Sequence, residues 1–228
     1  MPNMPRKQAG FTLVEIAIVL VIIGLLLGGV LKGQELITQA KIKNLSNDLS
    51  GITAAIYAYQ DRYKRFPGDD PGQTRWSVAG TQLTVAANQG DGNNTISGAY
   101  ESTTPTDETR LFWLNLRLAG FVAGATADTT AGSVQPLNAA GGIIGVQNGG
   151  MGLAGTIVCA GSLPAKIAQA LDAQMDDGDA RTGTVRAVLD TAPPTAVTPA
   201  TSGSPTTTAP TVNYDDNGTN LYVLCKNI

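Results

Sequence analysis

The hydrophobic pattern divides the chain into two unequal parts. Gly10 to Leu31 reads GFTLVEIAIVLVIIGLLLGGVL, an apolar run broken by one acid, Glu15. Arg6 and Lys7 precede it, and no further charge appears until Lys32. A segment of this length and polarity spans a bilayer as a helix. No proline occurs between Phe11 and Phe66, so the spacing predicts one helix over residues 11–63, about 80 Å long at ~1.5 Å per residue. Beyond Lys32 the pattern becomes amphipathic. Ile42, Leu45, Leu49, Ile52, Ile56, Tyr59 and Tyr63 alternate steps of three and four, which draws one narrow apolar stripe. Such a stripe either forms a coiled-coil seam or docks onto a folded domain. Arg62, Lys64 and Arg65 suit the negative end of the helix dipole, and Phe66-Pro67-Gly68 stops it.

Downstream the periods are shorter. Residues 67–106 are rich in turns, with Pro67 to Gly72 and Gly90 to Ile96 as clusters. Residues 107–119 predict a helix with Leu111, Leu114 and Leu118 inward and Trp113 and Leu116 flanking. Residues 121–154 are Gly- and Ala-rich and show little periodicity. Residues 156–159, 184–189 and 221–226 read as strands. Residues 163–175 read as a second short helix, with Ser162 as N-cap, Ile167, Leu171 and Met175 as its apolar face, and Gly178 closing it. The Thr/Pro-rich stretch 191–211 reads as an exposed, poorly packed loop. No repeat is evident.

A lone carboxylate inside an apolar segment costs about 2.5–3.5 kcal/mol on insertion scales, so it calls for a partner. No cationic side chain lies within residues 11–31 to neutralise Glu15. The partner is therefore expected outside this helix, at the N-terminus of a neighbouring copy. The sequence Gly10-Phe11-Thr12-Leu13-Val14-Glu15 resembles the processing site of type IV prepilins and type II secretion pseudopilins. The resemblance implies cleavage after Gly10 by a prepilin peptidase, N-methylation of Phe11, and pairing of Glu15 with the Phe11 amine of an adjacent subunit. An ordinary signal anchor explains the apolar run but not the acid. A cleaved secretory signal lacks its small-residue site.

The same resemblance implies an α+β pilin-like fold: a long helix packed on a small antiparallel sheet with short helices. The expected organisation is a leader at 1–10, a membrane and assembly segment at 11–31, an amphipathic segment at 32–66 and a head at 67–228. Family members often lose helical order near the end of the membrane segment. Gly24, Gly28, Gly29 and Gly33 weaken the helix there, but the proline that many members carry is absent. The glycines also fall in G-x-x-x-G spacing, which favours close helix approach in membranes. LLGGVLKGQELI, FPGDDP, GDGNN, LFWLNLRLAG and ALDAQMDDGDARTGTVRA place the chain near a subgroup of prepilin-type proteins.

Composition narrows the chemistry. There is no histidine, which removes Ser-His-Asp triads, Cys-His pairs and H-E-x-x-H zinc sites. With no other catalytic constellation in view, no enzymatic role is expected. The formal charge is −3, and removing Arg6 and Lys7 with the leader takes it to −5. An acidic chain without a basic cluster argues against a nucleic-acid partner. Positive-inside orientation puts Arg6 and Lys7 in the cytoplasm and the rest across the inner membrane, in the periplasm or on a surface filament. There Cys159 and Cys225 either form a disulfide or remain buried thiols.

No cofactor is expected, with one exception. Asp91, Asn93 and Thr95 offer oxygens at alternate positions, as a calcium loop begins, though Ile96 and Ser102 break the EF-hand pattern. A series of Asx turns is the alternative. Asp69-Asp70 and Asp176-Asp177-Gly178-Asp179 are further acidic groups, the latter with Arg181 as a candidate counter-charge. Asn44, Asn93 and Asn217 fit the N-glycosylation pattern, which is common by chance, and the Thr-rich stretch would suit O-glycosylation.

The expected partners are copies of the chain, other pilins or pseudopilins, the peptidase, an inner-membrane assembly platform and the membrane. The leading function is a structural subunit of a type IV pilus or related filament. The alternatives are a pseudopilin of a type II secretion system and a membrane-anchored binding module that never polymerises.

Overall fold

The computed structural model describes residues 12–78, 81–82, 89–127, 129–191, 196–199 and 209–228. By its internal contacts the chain divides at Ala40/Lys41 into two units. Helix α1, Leu13–Tyr63, runs through that boundary without a break. The glycines at 24, 28, 29 and 33 therefore do not interrupt it, consistent with the missing proline. Lys64 ends it in the left-handed region (φ 55°), its N–H donating to Gln60 O at 2.8 Å.

In the second unit the amphipathic stripe of α1 is a core face. Leu45, Leu49, Ile52, Ile56 and Tyr59 are buried, and Ile42 and Tyr63 pack at its edges. The stripe docks on a folded domain, so the coiled-coil alternative is set aside. Opposite it lies a four-stranded antiparallel sheet in the order β3-β4-β6-β5. The strands are β3 (Ile144–Gly150), β4 (Leu153–Pro164), β5 (Val185–Leu189) and β6 (Leu221–Asn227). A two-stranded ribbon, β1 (Ser77–Val78) and β2 (Thr81–Gln82), stands apart from that sheet. Among the described residues, three short α-helices and a 3-10 turn (Gln73–Arg75) complete the unit: α2 (Glu108–Leu118), α3 (Thr129–Gly132) and α4 (Ala165–Met175). This is an α+β, pilin-like fold, as the resemblance implies.

Both faces of the sheet are covered. Val146, Val158, Ala160, Val185, Ala187 and Leu224 share the main core with α1. The other face carries Ile157, Cys159, Val223 and Cys225 under Tyr100, Met151, Leu153 and Val197. This explains what the sequence pattern hides. Strands buried on both faces lose the simple in–out alternation, so β3 and the start of β4 are unreadable within the Gly-rich stretch 121–154. Glycine serves a packing purpose in β3: a Cβ at Gly145 would stand 2.2 Å from Tyr100 O.

Several expectations are corrected. Strand β4 is longer than residues 156–159, and its pairing continues to Pro164 opposite Leu221. Ser162 is consequently not the N-cap of α4, which starts after Pro164. It sits at the β4 irregularity with φ 57°, and its N–H and Oγ both bond Asp190 Oδ2. Helix α2 is buried on all sides, so Leu111, Leu114 and Leu118 are not its main inner face. Phe112, Trp113 and Leu116 enter the principal core, while Leu111 and Leu114 form a smaller cluster with Trp76 and Leu118. Its arginines follow it inward by donating to carbonyls: Arg110 to Ser102 and Ser133, Arg117 to Gly132 and Val134. Within 191–211, residues 192–195 and 200–208 lie outside the described residues. Val197, however, is buried and its carbonyl accepts from Gln147 Nε2, so that part of the stretch is packed.

Candidate functional site

Gly10 and Phe11 lie outside the described residues; the candidate site begins at Thr12. The Thr12 N–H and hydroxyl both donate to Glu15 Oε2, at 2.8 and 2.7 Å, and the Glu15 N–H points back at Thr12 Oγ1 at 3.3 Å. This is a reciprocal capping box, which satisfies donors left open at a helix start. The spacing Thr-x-x-Glu is legible in the sequence, yet the sequence reading missed it. It gives Glu15 neutral hydrogen-bond donors but no positive charge among the described residues.

Around Glu15 and as far as Leu31 the large apolar side chains of α1 have no cover. Leu13 is 87% exposed, Leu25 74% and Leu31 67%. The helix is long and apolar enough to cross a membrane. The apolar stretch Leu13 to Leu31 spans about 28 Å at ~1.5 Å per residue, close to the ~30 Å hydrocarbon core of a bilayer. Lys32 then pairs with Glu35 at 2.7 Å, where polar surface resumes.

The acidic candidates of the second unit are used structurally. Asp69 and Asp70 point to different neighbours. Asp69 accepts the N–H groups of Gly92, Asn93 and Asn94. Asp70 is fully buried: Arg75 grips it through both terminal nitrogens at 2.8–3.0 Å, and Tyr59 OH donates to it at 2.6 Å. The FPGDDP turn thereby ties α1 to the 92–94 loop. Asp91, Asn93 and Thr95 are joined to one another by hydrogen bonds. Asp91 accepts from the N–H and side chain of Asn93, and Asn93 Oδ1 accepts the Thr95 N–H, so these residues make successive Asx turns.

Asp91 is instead grouped with Asp69 and Glu108, one carboxylate oxygen of each lying within 4.8 Å of the others. Every carboxylate oxygen of that trio already accepts a hydrogen bond, those of Glu108 from the N–H groups of Asp91 and Ser97. The donor set is one a cation would accept, but the observed bonds account for it as a loop fastener. Asp172, Asp176 and Asp177 form a second such group. Asp172 takes the Tyr214 hydroxyl at 2.8 Å, and Asp176 the N–H groups of Thr184 and Val185. Arg181 is the partner of Asp179, as its position suggests, at 2.6–2.8 Å.

Cys159 and Cys225 form the disulfide. They sit directly opposite each other in the β4–β6 register, both fully buried.

These features meet an independent comparison. Residues 5–31 match the prokaryotic N-terminal methylation motif. The chain thus carries the prepilin-type signature of type IV pilins and pseudopilins, on a pilin-like α+β fold. No curated protein matches it, and no solved structure does. The motif and the exposed apolar helix are consistent with membrane anchoring.

Proposed function

We propose that this chain is a structural subunit of a type IV pilus or related filament. In this reading residues 1–10 are a leader removed by prepilin peptidase after Gly10, and Phe11 becomes the methylated N-terminus. Residues 11–31 hold the subunit in the inner membrane and later exchange lipid for neighbouring subunits. Residues 32–66 link that segment to the 67–228 head in the periplasm and on the filament surface. The assembly platform lifts each subunit out of the bilayer. Glu15 then meets the Phe11 amine of a neighbour in a low-dielectric bundle, where such a pair is far stronger than in water.

The observation that carries the reading is the single carboxylate of the Leu13–Leu31 stretch of α1, without a counter-charge among the described residues and set among exposed apolar side chains. A pseudopilin of a type II secretion system shares the same signature and the same N-terminal physics. Two measurements test the proposal. Mass spectrometry of the mature chain should find it beginning at methylated Phe11, and electron microscopy should show filaments extending beyond the cell. Short filaments confined to the periplasm would favour the pseudopilin. Glu15→Ala should abolish assembly while leaving membrane insertion intact; a variant that polymerises normally would refute the pairing.

A further inference from the structure

The disulfide lies on the sheet face opposite the main core, in a separate apolar cluster closed by Tyr100, Met151, Leu153 and Val197. A thiol must reach a sulfur to exchange with a disulfide, and both cysteines are fully buried. The cover therefore decides access, and its pieces are held unequally. Met151 and Leu153 belong to the β3–β4 hairpin, whose ladder runs from Ile144 opposite Ala160 to Gly150 opposite Leu153. Tyr100 is tied at both backbone groups: its N–H donates to Gln147 Oε1 at 3.0 Å, and its carbonyl accepts from Gln135 Nε2 at 3.0 Å. Val197 is a single peg, buried between the exposed Ala196 and Thr198. Its carbonyl accepts from Gln147 Nε2 at 3.1 Å, the one hydrogen bond of residues 196–199 among the described residues.

Gln147 is fully buried, so water cannot stand in for a partner it loses. It holds two segments that lie 47 and 50 residues away in sequence. Glycine shapes the seat of the second. A Cβ at Gly150 would stand 2.8 Å from Val197 Cγ1 and 3.2 Å from Thr198 O, so this segment rests directly on the hairpin backbone. Lifting it breaks one hydrogen bond and uncovers one valine. Every other piece of the cover is fixed by the sheet ladder or by two bonds. Local openings follow the least-fastened segment.

We propose that residues 196–199 form a thiol gate over the Cys159–Cys225 bridge, with Gln147 as its latch. When Val197 lifts, the bridge is exposed while the sheet stays paired. A dithiol reductant then attacks one sulfur as its thiolate. The S–S bond breaks, a mixed disulfide forms, and the other cysteine leaves as a thiolate that takes a proton from water. The second thiol of the reductant displaces the first cysteine and closes its own disulfide. The bridge thereby stays exchangeable within the folded unit.

Reduction of the full chain in detergent by dithiothreitol, read by alkylation and gel shift, tests the gate. The chain has no third cysteine, so the shift counts this bridge alone. Wild type should be reduced well below its urea unfolding midpoint, at a rate that hardly changes with urea. Gln147→Met keeps the length of the side chain and removes its amide; Val197→Ala keeps the carbonyl and shrinks the peg. Each should speed reduction about tenfold or more. Val188→Ala, against the same cluster from β5, should lower the urea midpoint without that acceleration. Rates that simply follow the urea midpoint across the variants would overturn the gate. So would a wild-type bridge that is reduced only as the chain unfolds, or a Val197→Ala chain reduced no faster than wild type. This last comparison decides the matter even where Gln147→Met does not fold.

Discussion

At the scale of single residues, the second unit is fastened by carboxylates. Asp70 joins the Arg75 guanidinium and the Tyr59 hydroxyl, while Arg75 also stacks over Tyr63 and Trp76 at 4.6 and 4.7 Å. Removing one partner of a buried pair strands the others. Asp70→Ala should cost about 2–4 kcal/mol, below the usual range because Arg75 keeps part of its solvent access. A shift in urea midpoint of the detergent-solubilised chain reads this, and an unchanged midpoint would discount the network. Burial holds the carboxyls of Asp69, Glu101 and Asp172 above the ordinary range, at Asp69 against the pull of the Asn94 and Gly92 amides. The folded chain then retains protons that the unfolded chain has released, so stability falls as pH rises through these groups. The Thr182 hydroxyl holds Asp177 low, and Arg181 brings Asp179 to about 2. Those two act in the opposite sense, below the ~pH 4 at which unfolded carboxyls titrate. Thermal midpoints should therefore be highest near ~pH 4, where unfolded carboxyls titrate, and decline as pH rises above it; a curve rising from there would contradict the burial of these acids.

At the scale of elements, α1 changes character along its length, from exposed apolar side chains at Leu13–Leu31 to a buried stripe at Leu45–Tyr59, and Gly51 lies within the second part on an exposed position. A helix-interior glycine costs about 1 kcal/mol relative to alanine. Gly51→Ala should stabilise the folded chain by about that amount, since nothing in the chain obstructs a methyl group. Urea unfolding of the detergent-solubilised chain reads this, and an unchanged midpoint would show that the glycine costs the helix nothing. The stripe from Ile42 to Tyr63 was readable because an amphipathic helix leaves an unambiguous period. The strands were harder. Thr184 to Leu189 and Leu221 to Lys226 could be picked out, whereas β3 and the first residues of β4 hide among glycines between two covered faces. Ser162 misled because a serine before an apolar run looks like a cap, and only the pairing of Pro164 with Leu221 shows the strand continuing past it. Of the candidate site, Glu15 stood out by its isolation. Its bond to Thr12 was equally legible and was overlooked, whereas the Asp69–Asp91–Glu108 group joins segments too distant in sequence for spacing to reveal.

At the scale of the whole molecule, the disulfide joins the two middle strands of the sheet, β4 and β6. Replacing Cys159 and Cys225 together by serine should cost about 2–4 kcal/mol, by the usual value for a native bridge. That corresponds to a thermal midpoint lower by roughly 5–15 °C for a chain of this size. Calorimetry of the full chain in detergent checks it, and a midpoint within a degree of wild type would mean that sheet packing alone suffices.

The place of β6 between β4 and β5 also sets an order of events during synthesis. Ribosomes deliver β3, β4 and β5 first, and β5 has no neighbour in the sheet except a strand made more than thirty residues later. Until Leu221–Asn227 arrives, the nascent chain holds two unpaired edges around a vacant slot. A prematurely terminated chain would keep that slot open, with its apolar N-terminal helix intact, and would be a ready target for quality-control proteases.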